Sequence, residues 1–562
     1  MPRRGYRFAG EVRNIENIHR NGEIIIERHA VSQTLIEEIS PTENEELKTE
    51  NEKPVLENIK IVVKEEKTHS PQFSILSSKA FALAAGLLLV LTGGFAVWRY
   101  QNSRTKTSLS ETKSIAVLPL KSFASKNEDE ELRLRITDAL ITKLGNLSEI
   151  SVRPTSSVLR FAREESDTIE AGKKLEVDAV LDGRIQTEGE RLRVTLQLVS
   201  VRTGEQIWSE QFDGKTNEIL NLQDKISVQL LPRLTPSATL AKNPTANPEA
   251  YENYLKGRYL WNKRQASEMK KAIPYFEQAI ALEPNFAPAY AGLADAYSML
   301  TNHEAFPTFE GYAKAKEMAQ KALAIDPNFS EGYSALGWIL YEHEWNWAEA
   351  EKAFARAIEL NPNNVEAHHW RGLNFHTIGK TEEYFAEMEK ARSLAPLTKP
   401  IAQNYYGVVR QKEGCEKAFE YLEKFIALYQ FSEEGRIEAS GYHYAECGDY
   451  DKAIVMLETI PHEKLDSKGQ TELAVAYAKT GRRKEALEIL ERLKKHGSTM
   501  RFYLMPYIHV ALGDFDTAFA DLEKGIEARD DRFTRLKHDD FLAPLRSDAR
   551  FKQLLKKMNL SE

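Results

Sequence analysis

The sequence predicts a multidomain chain: a single transmembrane helix, an α/β domain after it, and an all-helical repeat solenoid to the end. Three observations predict this. An uncharged run spans Ala80 to Trp98, short buried strands alternate with amphipathic helices over 113–233, and one helix ending recurs from residue 271 onward. The length of 562 residues accommodates about three to five domains at ~150 residues each. A net charge of −8 excludes a chain that coats nucleic acid along its whole length.

Taken in order, residues 1–12 read as the second arm of a β-hairpin. Residues 13–78 hold short β-like runs, "GEIIIERHAV" and "IKIVV", around an acidic tract, "SPTENEELKTENEKP". Low hydrophobicity and many glutamates make 13–78 an acidic, largely disordered tether. The segment 79–99 is the expected span. At ~1.5 Å rise per residue its helix nearly crosses the ~30 Å hydrocarbon core, with Lys79 and Arg99 bracketing it and Trp98 and Tyr100 suited to the interface. Four Lys/Arg lie near each end, so the positive-inside rule does not orient it.

Residues 113–233 read as one α/β unit. "SIAVLPL" is a buried strand, and "DEELRLRITDALITKLGNL" is a helix with Leu132, Ile136, Leu140 and Leu144 on one stripe. "ISVRP" is a second strand and "TIEAGKKLEV" a second helix. Three hairpin-linked strands then follow, with Leu192, Val194, Leu196 and Leu198 alternating onto one face. A helix over 218–234 closes the unit, and 234–248 is a Pro/Ala/Asn linker.

The carboxyl half is decided by self-similarity. "KAIPYFEQAIALEPN", "KAKEMAQKALAIDPN", "EAEKAFARAIELNPN" and "EYFAEMEKARSLAP" are versions of one helix ending, and their prolines, Pro284, Pro327, Pro362 and Pro396, recur at a nearly regular spacing. Small residues stand where paired helices cross, at Ala272, Ala315, Ala350, Ala453, Ala486 and Ala518, with Tyr384 in that place in the fourth copy. Later copies keep a Gly-x-x-x-x-Ala core. About eight repeats are expected over 249–528, followed by a capping helix over 529–562. The pattern, including Leu336-Gly337, resembles the tetratricopeptide repeat, whose period is about 34 residues. Stacked pairs of this kind form a superhelix whose concave face binds a protein or peptide. Candidate partner contacts are Trp338, Tyr341, His369 and His376; "WNW" at Trp345–Trp347 is a further aromatic candidate, weighed against packing at an inter-helix turn.

The stronger catalytic motifs are missing: there is no phosphate-binding Gly-x-x-x-x-Gly-Lys loop, no His-Glu-x-x-His and no Gly-x-Ser-x-Gly. No enzyme activity, cofactor or metal is expected. The adjacent His368 and His369 diverge by ~100° on a helix and read as structural or groove-lining. Cys415 and Cys447 make no disulfide framework and no metal-ligand spacing, and read as two ordinary thiols.

With that context, "PRRGYRF" resembles the last strand of the winged-helix domain of OmpR/PhoB-type transcription factors. The resemblance implies that Arg3 and Arg4 lie at a DNA-contacting wing, with Tyr6 beside them and Phe8 packing toward the core. The architecture resembles the membrane-bound CadC/ToxR-like regulators in their repeat-bearing variant, and residues 113–233 resemble the TolB-amino-terminal/FlgO-like domain that accompanies such repeats. This implies a one-component sensor in the bacterial inner membrane, single-pass, with a cytoplasmic N-terminus, extracytoplasmic C-terminal domains and a homodimer as one option. A winged helix needs a recognition helix in the major groove. The 562-residue chain is therefore expected to bind specific DNA only if the rest of that domain precedes Met1; a late start codon and a lost reader both account for the remnant. The alternative is a membrane-anchored repeat scaffold without DNA binding. A third reading, resting on domain company alone, is an accessory subunit of a cyclase or kinase system.

Overall fold

The computed structural model describes residues 112–122, 127–147, 149–162, 167–235, 245–303, 305–495 and 501–561. All of them fall in one compact unit, 108–562. The expected wing strand, tether and span lie outside the described residues. Among the described residues no helix is long and apolar enough to cross a membrane. That finding overturns the placement as a single-pass inner-membrane protein with extracytoplasmic domains. The physical reason is charge: the longest helices, Asn127–Gly145 and Thr308–Ile325, carry ionic groups such as Arg133, Arg135, Lys314, Lys316 and Lys321 on their turns.

The α/β part is built on a six-stranded sheet with the order β3-β1-β4-β5-β6. The strands are β1 (Ser114–Val117), β2 (Lys121–Ser122), β3 (Ser151–Val152), β4 (Ala179–Glu188), β5 (Arg191–Ser200) and β6 (Gln206–Lys215), with β2 pairing β4 off the main path. β1 runs parallel to β3 and β4, which requires crossover helices. α1 (Asn127–Gly145) supplies one, and a one-turn helix at Thr155–Val158 followed by α2 (Thr168–Lys174) supplies the other. β4, β5 and β6 form an antiparallel meander. Leu192, Val194, Leu196 and Leu198 are essentially fully buried on one face, while Arg191, Arg193 and Thr195 are exposed on the other. α3 (Ile219–Leu234) closes the unit through Ile226 and Leu230, both buried.

Sixteen helices in eight antiparallel pairs follow among the described residues. They are α4 (Pro248–Asn262) and α5 (Ala266–Leu282), α6 (Ala287–Asn302) and α7 (Thr308–Ile325), α8 (Ser330–Glu342) and α9 (Trp347–Leu360), α10 (Val365–Ile378) and α11 (Thr381–Leu394), α12 (Lys399–Glu413) and α13 (Cys415–Leu428), α14 (Glu433–Glu446) and α15 (Tyr450–Leu457), α16 (Ser467–Lys479) and α17 (Arg483–Lys495), and α18 (Arg501–Leu512) and α19 (Phe515–Glu527). The chain is thus a mostly helical, tetratricopeptide-like solenoid with an amino-terminal α/β region.

Close approach within a pair has a repeated cause. A small residue on the first helix receives a large one from the second. A Cβ on Gly257 would stand 2.6 Å from the Phe276 ring, and one on Gly337 would stand 2.6 Å from Phe354. Gly441 receives Leu457 in the same way. Ala272, Ala315, Ala350, Ala453, Ala486 and Ala518 are all fully buried at these crossings, and Tyr384 is 4% exposed in the fourth copy.

The last segment departs from expectation. Instead of one capping helix over 529–562, the chain makes 3-10 stretches at Asp531–His538 and Asp540–Leu545, then α20 (Ala549–Lys557). Pro544 lacks the N–H that a continuous helix needs, and the side chains of Asp530, Asp539 and Asp548 each start a new turn.

Candidate functional site

The array is not an open superhelix. Its end folds back on its middle. Trp347 Nε1 donates to Met558 O at 2.8 Å, Asn559 Nδ2 donates to Trp345 O at 3.3 Å, and Arg529 reaches Glu344 O at 3.3 Å. Arg410 on α12 pairs with Asp540 at 3.0 Å. Asn302 on α6 donates to Glu342 at 3.0 Å and also to Asp531. Burial and the neighbouring Asp531 push the Glu342 carboxyl well up, and burial beside Asp530 pushes Asp531 up to about 6.

The four expected partner contacts are spread along this closed wall. Tyr341 is 4% exposed, with its hydroxyl 3.5 Å from Thr377 Oγ1, and burial raises it to about 12. His376 lies 5.1 Å from His538 between ring centres and accepts from Gln411 Nε2 at 3.1 Å. Burial, with His538 nearby, drives His376 down to about 3. His369 is buried and accepts from Asn404 Nδ2 at 2.9 Å; burial lowers it to about 4. Trp338 is half-buried and packs at a tilt on Trp370 and Tyr341, with ring centres 4.8 and 5.6 Å apart. The structure therefore joins Trp338 with Tyr341, sets His376 of α10 against the closing segment, and leaves His369 facing α12. His368 sits apart, with its two ring nitrogens 2.5 Å from Glu387 Oε2 and 3.1 Å from Pro362 O. Arg3, Arg4 and Tyr6 lie outside the described residues.

The aromatic "WNW" turn lines a cavity of about 700 Å³ between α9 and the closing segment. Glu344, Trp345, Trp347, Ile378, Lys380 and Leu560 are among its walls. Trp345 occupies the turn position that Gly448, Gly481 and Gly513 fill in later copies, with φ of 52° and no exposed surface. A bulky side chain in the left-handed region is strained by about 1–3 kcal/mol. Arg529, 4.4 Å above its ring, helps to hold it there.

A second cluster joins the α/β domain to the repeats. Arg153, 4% exposed, donates to Leu175 O at 2.7 Å, Glu176 O at 2.6 Å and, across the junction, Leu394 O at 3.3 Å. Burial lowers its guanidinium to about 10. Ser156 and Ser157 lie 3.0 and 2.9 Å from Thr398 Oγ1, and Arg160 donates to Leu428 O at 2.7 Å. On the other side, Asp138 of α1 accepts from Arg258 at 3.2 Å and from Asn262 at 3.3 Å, while Arg135 pairs with Glu252 at 3.3 Å. Beyond this junction Asp295, Glu331, Glu366 and Arg264 influence one another, and burial raises Asp295 to about 7. None of these junction residues belongs to a motif; only packing reveals them.

One expectation is corrected outright. Cys415 and Cys447 are not separate thiols but a disulfide, with Cα atoms 6.1 Å apart. Cys415 opens α13 and Cys447 caps α14, the same inter-helix turn in neighbouring repeats. Their separation of 32 residues, close to one repeat period, is the signal in the sequence that points to it.

Comparison with known proteins adds one domain-level match. Residues 111–229 match the second domain of HilA/YgeH-like transcriptional regulators. Over 290 residues the chain is 23% identical to the transcriptional regulator HilA of Salmonella paratyphi A (strain ATCC 9150 / SARB42), covering 51% of each protein. Over 187 residues it is 26% identical to putative adenylate cyclase 3 of Rhizobium meliloti (strain 1021), covering 32% of each. The chain thus spans between about a third and a half of the length of these curated relatives. Similar solved structures include PilW, a type IV pilus biogenesis factor, at 17% identity and TM-score 0.31 over 38% of this chain and 93% of that one. A tetratricopeptide repeat protein of Parabacteroides merdae ATCC 43184 is 15% identical with TM-score 0.34, over 48% and 98%. At these scores the repeat assignment rests on the helix-pair packing itself. The chain carries a HilA-like regulator domain joined to a tetratricopeptide-like array.

Proposed function

We propose that this chain serves transcriptional regulation, with the repeat array receiving a protein or peptide partner and the α/β domain passing that event on. The observation that carries the reading is the HilA/YgeH-like match over 111–229, a segment that here docks onto the repeats through Arg153, Arg160 and the Ser156/Ser157–Thr398 bonds. Partner binding along the array has a direct route to that domain through these contacts. Of the expected contact set, half-buried Trp338, packed beside Trp370 with ring centres 4.8 Å apart, is the part that meets the partner in this reading. DNA contact, in this reading, belongs to a winged helix whose wing strand carries Arg3, Arg4 and Tyr6.

The test is transcript profiling of a strain lacking the gene, complemented with the wild-type chain or with Trp338→Ala. A discrete set of transcripts should change, return with the wild type and return only in part with the variant. Transcript levels indifferent to the deletion would sink the reading and favour a repeat scaffold with no role in transcription.

A further inference from the structure

The buried apolar residues form two large clusters. One runs from the sheet through α4, α5 and α6; the other joins α8 and α9 to Ala445 at the end of α14 and to α15–α20. Between them, where Trp370, Leu373 and Ile378 of α10 and Ile437, Tyr442 and Tyr444 of α14 pack against the second, α11–α13 rest mainly on three small separate clusters. These centre on Val365 with Leu394, on Phe375 with Met388, and on Leu422 with Phe425. The Cys415–Cys447 bond crosses the boundary where the last of these meets the carboxyl-terminal core, which begins again at Ala445. The same arc holds the α/β domain, since Leu394, Thr398 and Leu428 are the acceptors and partners of Arg153, Ser156/Ser157 and Arg160.

We propose that the Cys415–Cys447 disulfide is a redox-sensitive clamp that determines whether the α10–α14 arc holds the α/β domain firmly against the repeats. Both cysteines are half-buried and flanked by exposed residues, Gly414 and Glu416 on one side and Gly448 on the other, so a reductant can reach the bond from solvent. The required co-reactant is a dithiol. One of its thiolates attacks a protein sulfur, forming a mixed disulfide and releasing the other protein sulfur as a thiolate that takes up a proton. The second thiol then displaces the remaining protein sulfur. Two electrons and two protons pass to Cys415 and Cys447, and the dithiol leaves as a cyclic disulfide. In the reduced protein the arc keeps its small apolar clusters, the packing of α10 and α14 on the second large cluster and polar ties such as Arg371–Glu351, Arg410–Asp540 and Tyr406–His443, but loses the covalent link between α13 and α14. The α/β domain stays anchored to α4 through Asp138–Arg258 and Arg135–Glu252, and its grip on the far wall loosens. This rests on geometry alone and stands or falls independently of the regulatory reading.

Amide hydrogen exchange on the full chain, oxidised and after dithiothreitol, tests the clamp alongside a thiol titration. No free thiol is expected before reduction and two after it. Amides of α12–α14 should exchange roughly tenfold faster in the reduced protein, while those of α4–α6 stay unchanged. Cys415→Ser and Cys447→Ser should each match the reduced form and ignore dithiothreitol. Because the wild-type comparison needs no variant, a serine variant that misfolds does not protect the proposal. Three results overturn it: two free thiols in protein isolated without reductant, identical exchange in α12–α14 in both states, or a uniform rise across the whole chain.

Discussion

The first repeats and the α10–α14 arc are built from the same helix-pair unit, yet they are held together differently. In α4–α6 the aromatic knob Phe276 is shared by Gly257 of its own pair and Gly292 of the next, so one side chain welds two repeats. Tyr254 packs on Phe276 and edge-on to Phe286 at 5.2 Å, and that cluster continues unbroken into the sheet of the α/β domain. In the arc, Tyr384 fills the place of the small residue, and the core breaks into islands that each cross one pair boundary, as Met388 and Phe375 do with Val408. Polar bonds and one covalent bond replace the missing continuity. Repeats of one period thus differ in cohesion according to whether their apolar contacts join into one continuous core or stop after a single pair boundary.

Substitutions sharpen that difference. Phe276→Ala removes the shared knob and should cost about 3–5 kcal/mol, read as a global loss in denaturant titration. Leu422→Ala in the arc should instead produce local opening by hydrogen exchange with a smaller global change; equal global losses would break the comparison. Arg153→Ala strands the carbonyls of Leu175, Glu176 and Leu394, and about 2–3 kcal/mol should be lost. Limited proteolysis should then release the α/β domain's far edge before the repeats unfold. Gly337→Ala forces a methyl against Phe354, a fully buried ring, and should cost about 1–3 kcal/mol without changing helix content.

The smallest effect concerns the closing segment. Glu342 and Asp531 have folded-state pKa values above their unfolded ones, so their contribution is fully present below about pH 4; that of Asp531 is lost as pH rises through about 6, and that of Glu342 as pH rises through its own elevated value. Glu342→Gln keeps an acceptor for Asn302 while removing the charge. Its melting temperature should exceed the wild type's at pH 8 by an amount equivalent to about 1 kcal/mol, and the gap should close by pH 4. A gap of the same size at both pH values would mean the carboxyls do not oppose each other.

Much of the repeat was legible because its determinants are local. The crossing alanines, the Gly-x-x-x-x-Ala turns and the recurring prolines mark helix ends and close approach within one period, and the alternation of Leu192 to Leu198 marks a half-buried strand. The candidate site was less so. Tyr341 and His376 stand out in the sequence as aromatic or polar groups on first helices, but what faces them is Thr377, Gln411 and His538, and His538 arrives from the far end of the chain. The membrane placement came from a run outside the described residues and was not matched by any described helix.

By itself, then, the sequence determined the unit: paired helices at the tetratricopeptide period, preceded by a strand-and-helix domain with one buried sheet face. Tertiary structure alone decided that the array closes on itself, that the α/β domain bridges α4 and the arc, and that Cys415 meets Cys447. The reason is accumulation. Each pair adds a small rotation set by side-chain volumes at its interface, and the sum over eight pairs decides which distant turns come together. No local pattern encodes that sum.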